Sequence, residues 1–192
     1  MQTQKSAGRS LNSIFKVVLV AVFAAVLTNQ SFQPAQAYVT ENCRWASTSI
    51  VWTNAASTAY RATATDAVAA WNAAVSVLSF SAVPPEYSYN IRLLDVPQGM
   101  SGMDGSTTYS CSGGFFIGTT TSNVNTYYTD NYSSDGRKQV MVHEFGHALG
   151  LGHSGTTTCS GQPIMYYSST RYSVCNHVNP QTDDVSGINH IY

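Results

Sequence analysis

The sequence predicts an α+β fold built as one domain. Three observations carry this. Apolar residues recur at near-helical spacing from Tyr60 to Leu78 and again at the C-terminus; short strand-like runs bounded by Gly, Pro and Ser/Thr turns lie between them; and no internal repeat, charge block or long linker divides the chain.

Residues 1–37 are expected to be an export signal. Lys5, Arg9 and Lys16 precede an apolar run from Val17 to Leu27, and Ala35-Gln36-Ala37 is a small-x-small cleavage site that would leave Tyr38 at the start of a mature domain, 38–192. Eleven apolar residues are too few to span a bilayer, so no membrane attachment is expected after signal removal. Within the domain, Ile50 to Thr53 reads as a strand. Tyr60 to Leu78 reads as an Ala-rich helix with Val68, Trp71, Val75 and Leu78 on one stripe. Pro84-Pro85 interrupts the chain, and Asn90 to Val96 reads as a second strand with Ile91, Leu93 and Asp95 on one face. Phe115 to Gly118 and Asn123 to Thr129 are further β-like runs. A helix is expected from Ser134 or Asp135, either of which can cap it, to Leu149, and another from Thr182 with Val185, Ile188 and Ile191 or Tyr192 as its buried stripe. Asp183 and Asp184 suit the positive first turn of that last helix.

Three of the nine basic and none of the ten acidic residues precede Tyr38, which leaves the domain at a net charge of −4. That balance argues against a nucleic-acid partner. The four cysteines, Cys43, Cys111, Cys159 and Cys175, all fall in the domain; an even number in an exported chain predicts two disulfides and an extracellular location. Three pairings are open. The preferred one joins Cys159 to Cys175 around a short loop and Cys43 to Cys111, tying the N-terminal strand to the middle of the chain.

The specific signal is His143-Glu144-Phe145-Gly146-His147-Ala148-Leu149-Gly150-Leu151-Gly152-His153-Ser154. Histidines four residues apart project from one helical face, within reach of one ion. Gly150 can end the helix in a left-handed conformation and bring His153 toward the same point. Three imidazoles and one open position describe a catalytic zinc site. Glu144, beside the first ligand, is placed to act as general base on a zinc-activated water.

These residues fit H-E-x-x-H-x-x-G-x-x-H, and the chain resembles the metzincin zinc endopeptidases, most closely the matrixin, or matrix-metalloproteinase-like, family. Ser154 after the third histidine is the matrixin choice. The resemblance implies a twisted, mainly parallel mixed sheet with two long helices, and a smaller C-terminal part holding a methionine turn and one helix. It makes Met165 the floor of the metal site and has Asp183 and Asp184 brace the turn. It also implies an extended peptide substrate lying along an edge strand from the 105 to 120 region. Matrixins usually follow Met-Tyr with Pro, whereas Tyr167 stands here; in the related astacin and serralysin branches a tyrosine at that position can reach the zinc. Tyr167 is thus a candidate oxyanion donor, the alternative being a wall of the pocket for the substrate side chain beyond the scissile bond.

The resemblance does not extend to the cysteine-containing latency motif of matrixin propeptides. Nor does it extend to a second, structural zinc, for which only His177 and His190 remain. Asp104, Asp130 and Asp135 sit in loops where a calcium site could form, an option beside ordinary solvated carboxylates. Asn131-Tyr132-Ser133 is a glycosylation sequon only in a host that glycosylates. The expectation is a secreted, monomeric zinc endopeptidase acting on proteins or peptides. The competing class is a secreted binding or adhesion module that keeps zinc for structure alone, and the presence of Glu144 favours the enzyme.

Overall fold

The computed structural model describes residues 38–155 and 158–192. The expected export signal and its cleavage site at Ala37 therefore lie outside the described residues. In chain order the elements are β1 (Val39–Thr40), β2 (Ser49–Asn54), α1 (Arg61–Ala74), β3 (Ser79–Ala82), β4 (Ile91–Val96), β5 (Gly105–Ser112), β6 (Phe115–Asn125), α2 (Thr126–Thr129), α3 (Ser134–Ala148), β7 (Leu151–Gly152), α4 (Thr170–Ser173) and α5 (Thr182–Ile191).

The main sheet runs β3-β2-β4-β6-β5. Its first four strands are parallel, and only β5 turns back antiparallel, against β6, at the edge. The parallel strands are joined by crossovers, of which α1 is the helical one, linking β2 to β3. This is the mixed, mostly parallel sheet that the sequence suggested.

Two long helices, α1 and α3, bury their apolar faces together with the sheet. Trp71 of α1 is fully buried, and its Nε1 donates to the Val142 carbonyl at 2.9 Å. On α3, Val140, Met141, Val142, Phe145 and Ala148 are buried, more than one face of a surface helix would carry, so α3 is the central helix of the domain. Its N-terminus is capped by Ser133, whose Oγ accepts from Gly136 N at 3.1 Å, rather than by Ser134 or Asp135.

Other differences from expectation are local. The first helix stops at Ala74, where Val75 is already extended; Val75 and Leu78 are still buried, which explains why the apolar stripe runs past the helix end. The two β-like runs after Gly114 are one strand, β6, and residues 126–129 form a helical turn capped by the Asn125 side chain instead of continuing it. Strand β3 is short and mostly exposed, so it has too little apolar pattern to be seen in sequence.

Two disulfides hold the periphery, Cys43–Cys111 and Cys159–Cys175. The N-terminal segment is placed by β1, which pairs antiparallel with β7 directly before His153, and by Glu41 N donating to the Gly150 carbonyl at 2.8 Å.

Candidate metal centre and cleft

Helix α3 presents His143 and His147 one turn apart, and the chain reverses at Gly150, whose φ of 102° is a conformation that favours glycine. A Cβ at Gly150 would also strike the Cys43 carbonyl oxygen. Beyond the turn, β7 delivers His153. The three Nε2 atoms then stand 3.0 Å (His143 to His153), 3.2 Å (His143 to His147) and 3.2 Å (His147 to His153) apart.

The other ring nitrogens fix the tautomers. His143 Nδ1 lies 2.8 Å from the Ile164 carbonyl oxygen and His147 Nδ1 lies 2.7 Å from that of Leu151, so each must donate there. Their Nε2 atoms are then bare lone pairs aimed at the same point as His153 Nε2. Lone pairs at 3 Å repel unless a cation lies between them. A tetrahedral zinc with bonds of about 2.0 to 2.1 Å separates its nitrogen ligands by about 3.3 to 3.4 Å, so the triad fits that ion with adjustments of a few tenths of an ångström. Burial holds His143 well below the ordinary histidine value of 6.5 and also lowers His153, which keeps both neutral as ligands.

Met165 is 1% exposed and packs against α3 at Gly146. A Cβ at Gly146 would run into its sulfur and meet Trp71 at 3.0 Å, so the glycine inside the histidine motif is what lets the methionine approach the helix. The turn is held by Asp184 of α5, which accepts from Ile164 N at 2.8 Å and Met165 N at 3.1 Å; Asp183 accepts from Ser154 Oγ at 3.3 Å. The aspartate pair expected to brace the turn thus divides the task, with Asp184 on the methionine segment and Asp183 on the segment after His153.

Glu144 is 5% exposed. Thr107 Oγ1 donates to its Oε2 at 2.9 Å, and the same hydroxyl and Ser122 Oγ lie within 2.8 and 3.0 Å of its main-chain oxygen. Burial raises its carboxyl above the usual 4.5, against the opposing pull of His147 and Thr107, which moves it toward the range of a useful base. Gly105 leaves the space the carboxylate needs: a Cβ there would stand 2.9 Å from Glu144 Oε1.

The triad and Glu144 line a cleft of about 590 Å³ bounded by β5 (Gly105 to Tyr109), α3, and the segment of Tyr167, Ser168 and Ser169 leading into α4 with Arg171. Tyr167 is 69% exposed at its mouth, its ring 4.6 Å from that of Tyr166. Glu41, Thr107 and Arg171 are cleft residues that sequence reasoning passed over. Each sits far in sequence from the motif and has a commonplace local pattern, so only the fold brings it there. His177 and His190 lie elsewhere, His177 against the Gln162 carbonyl and His190 beside the ring of Tyr38. Asp104 accepts from Tyr132 and Asp130 from Tyr60. Among the described residues the histidine triad is the one group of three or more such side chains disposed to hold an ion.

The matrixin family model matches residues 44–192. Among solved structures, that of myroilysin aligns with a TM-score of 0.53 at 18% identity, over 78% of this chain and 82% of that one. High choriolytic enzyme 1, a hatching enzyme zinc-protease from Oryzias latipes (medaka fish), aligns with a TM-score of 0.44 at 15% identity, over 79% and 94%. The first likeness is one of fold. No curated protein matches the chain. The family match spans most of the sequence and takes in the three histidines, Glu144 and Met165: the chain belongs to the matrixin family and is a zinc metalloendopeptidase.

Proposed function

We propose that the protein is exported and cleaves peptide bonds of extracellular proteins or peptides as a monomer, with His143, His147 and His153 holding one zinc ion and Glu144 serving as the base. The observation that carries this reading is the convergence of three imidazole Nε2 atoms beside a buried, hydrogen-bonded carboxylate. Zinc bound there supplies a Lewis acid that polarises the scissile carbonyl and lowers the pKa of water toward 7.

The remaining work falls to the chain. Glu144, steadied by Thr107, takes the proton of the attacking water and returns it to the leaving amine, a role its raised pKa suits. Among the described residues the outer edge of β5 has no strand neighbour, and Gly105, Ser106, Thr107 and Tyr109 line the cleft, so an extended substrate can add there as a further strand. Tyr167, exposed at the mouth, either donates to the developing oxyanion or walls the pocket for the neighbouring side chain. Replacing it with phenylalanine separates the two, because loss of an oxyanion donor lowers kcat by about 10² to 10³. Two disulfides among the described residues support an oxidising compartment, and no helix among those residues is long and apolar enough to cross a membrane.

The test expresses the full-length chain with export, recovers the processed protein and assays casein cleavage before and after chelation. Activity lost on chelation and restored by stoichiometric zinc is expected. Proteolysis indifferent to chelation, or zinc binding without cleavage of any substrate, would overturn the reading, the second result favouring a zinc-holding binding module.

A further inference from the structure

The cleft holds a cation that neither the metal centre nor the proton transfer uses. Arg171 is 3% exposed yet lines the cleft together with Val140, His143, Glu144 and Ser169. Its Nη1 donates to the Tyr166 carbonyl at 2.9 Å; its Nε has no hydrogen-bond partner. A guanidinium offers five N–H donors, and one buried with a single side-chain hydrogen bond carries a desolvation cost.

The nearby acidic groups leave it unpaired. Asp184 is spent on the backbone N–H groups of Ile164, Met165 and Gln181, Asp104 accepts from the Tyr132 hydroxyl, and Glu144 is held by Thr107. All three carboxylates and the Tyr132 phenol favour its charge through space, although none of them bonds to it. Burial lowers its pKa to about 10, so it remains charged at neutral pH. Helix α4 is tethered by the Tyr172 hydroxyl to Ser133 Oγ at 2.6 Å and, just beyond its end, by the Cys159–Cys175 bond, while the Tyr166 carbonyl holds Nη1.

We propose that Arg171 is a specificity-determining residue that receives an acidic side chain, so that the enzyme selects aspartate or glutamate flanking the scissile bond. The inference rests on the protease reading above. A substrate carboxylate entering the cleft would pair a charge that burial has already desolvated and that no carboxylate among the described residues bonds, whereas an apolar side chain would leave that cost in place.

The test uses processed full-length enzyme and a peptide library varied at the two residues flanking the cleaved bond, followed by matched peptides differing only as Glu against Gln. Wild-type kcat/KM is expected to favour Glu over Gln by at least about tenfold, as removal of one partner from a buried charged pair implies. In Arg171→Gln the ratio is expected to collapse toward one; should that variant not fold, the wild-type ratio decides alone. A wild-type ratio below tenfold, an apolar preference at both positions, or a ratio unchanged in a folded Arg171→Gln would overturn the proposal while leaving the protease reading intact. Cleavage of no peptide or protein would overturn both.

Discussion

Gly105→Ala puts a single methyl group against Glu144, the proposed base, without touching the histidine triad. The new Cβ would lie 2.8 Å from Glu144 Cγ, 2.9 Å from Glu144 Oε1 and 2.8 Å from the Asn123 carbonyl oxygen. Ordinary contact begins near 3.4 Å, so the carboxylate or the first residue of β5 must move by about 0.5 Å. Glu144 is the softer partner, because Thr107 holds it through one hydroxyl while β5 is paired along β6. Misplacement of a reacting group by about 1 Å can cost 10²-fold, so a fall in kcat of about 10- to 100-fold is expected, with a stability loss of about 1 to 3 kcal/mol from overpacking. Zinc content should be unchanged, since the triad lies outside the clash. The assay pairs peptide cleavage with metal analysis and thermal unfolding of the same preparation. A folded, zinc-loaded variant with wild-type kcat would refute the claim that Gly105 makes room for a working Glu144.

Acid should release the metal through His147. Burial works to lower that imidazole, but the Glu41 carboxylate, 3.6 Å from Nδ1, and the charge of Glu144 outweigh it and hold the pKa above 6.5. As pH falls through that raised value a proton competes for Nε2, so zinc and activity should be lost together. Glu41→Gln should move the pH of half release downward; zinc measured after dialysis across the acid range checks this, and an unmoved midpoint contradicts it. Asp184→Asn replaces an acceptor oxygen with a donor amide facing the Ile164, Met165 and Gln181 N–H groups. A loss of about 1 to 3 kcal/mol by denaturant unfolding is expected, with zinc binding weakened as the Met165 turn loosens; a variant as stable as wild type would count against the brace.

The sequence carried the centre of this molecule because its chemistry is local. His143, Glu144 and His147 sit on one helix, and the turn at Gly150 that brings in His153 needs a residue type visible in the chain. Gly146 shows the limit: it fills an unspecified position of the motif, and only the fold reveals that a side chain there would strike Met165 and Trp71. Helix ends were less legible, since Val75 and Leu78 continue an apolar stripe after α1 has stopped. The stretch after Asn123 failed as a strand because the Asn125 side chain caps a helical turn, accepting from Tyr127 N at 3.2 Å. Arg171 and Glu41 belong to the cleft through contacts that no local pattern encodes.

The most direct measurement compares Glu144→Ala with wild type for zinc content and kcat in the same exported preparation. The account predicts one zinc per chain in both and a fall in kcat of about 10² to 10⁴ in the variant, the range of a lost general base. A zinc-loaded Glu144→Ala protein that cleaves at the wild-type rate would contradict it.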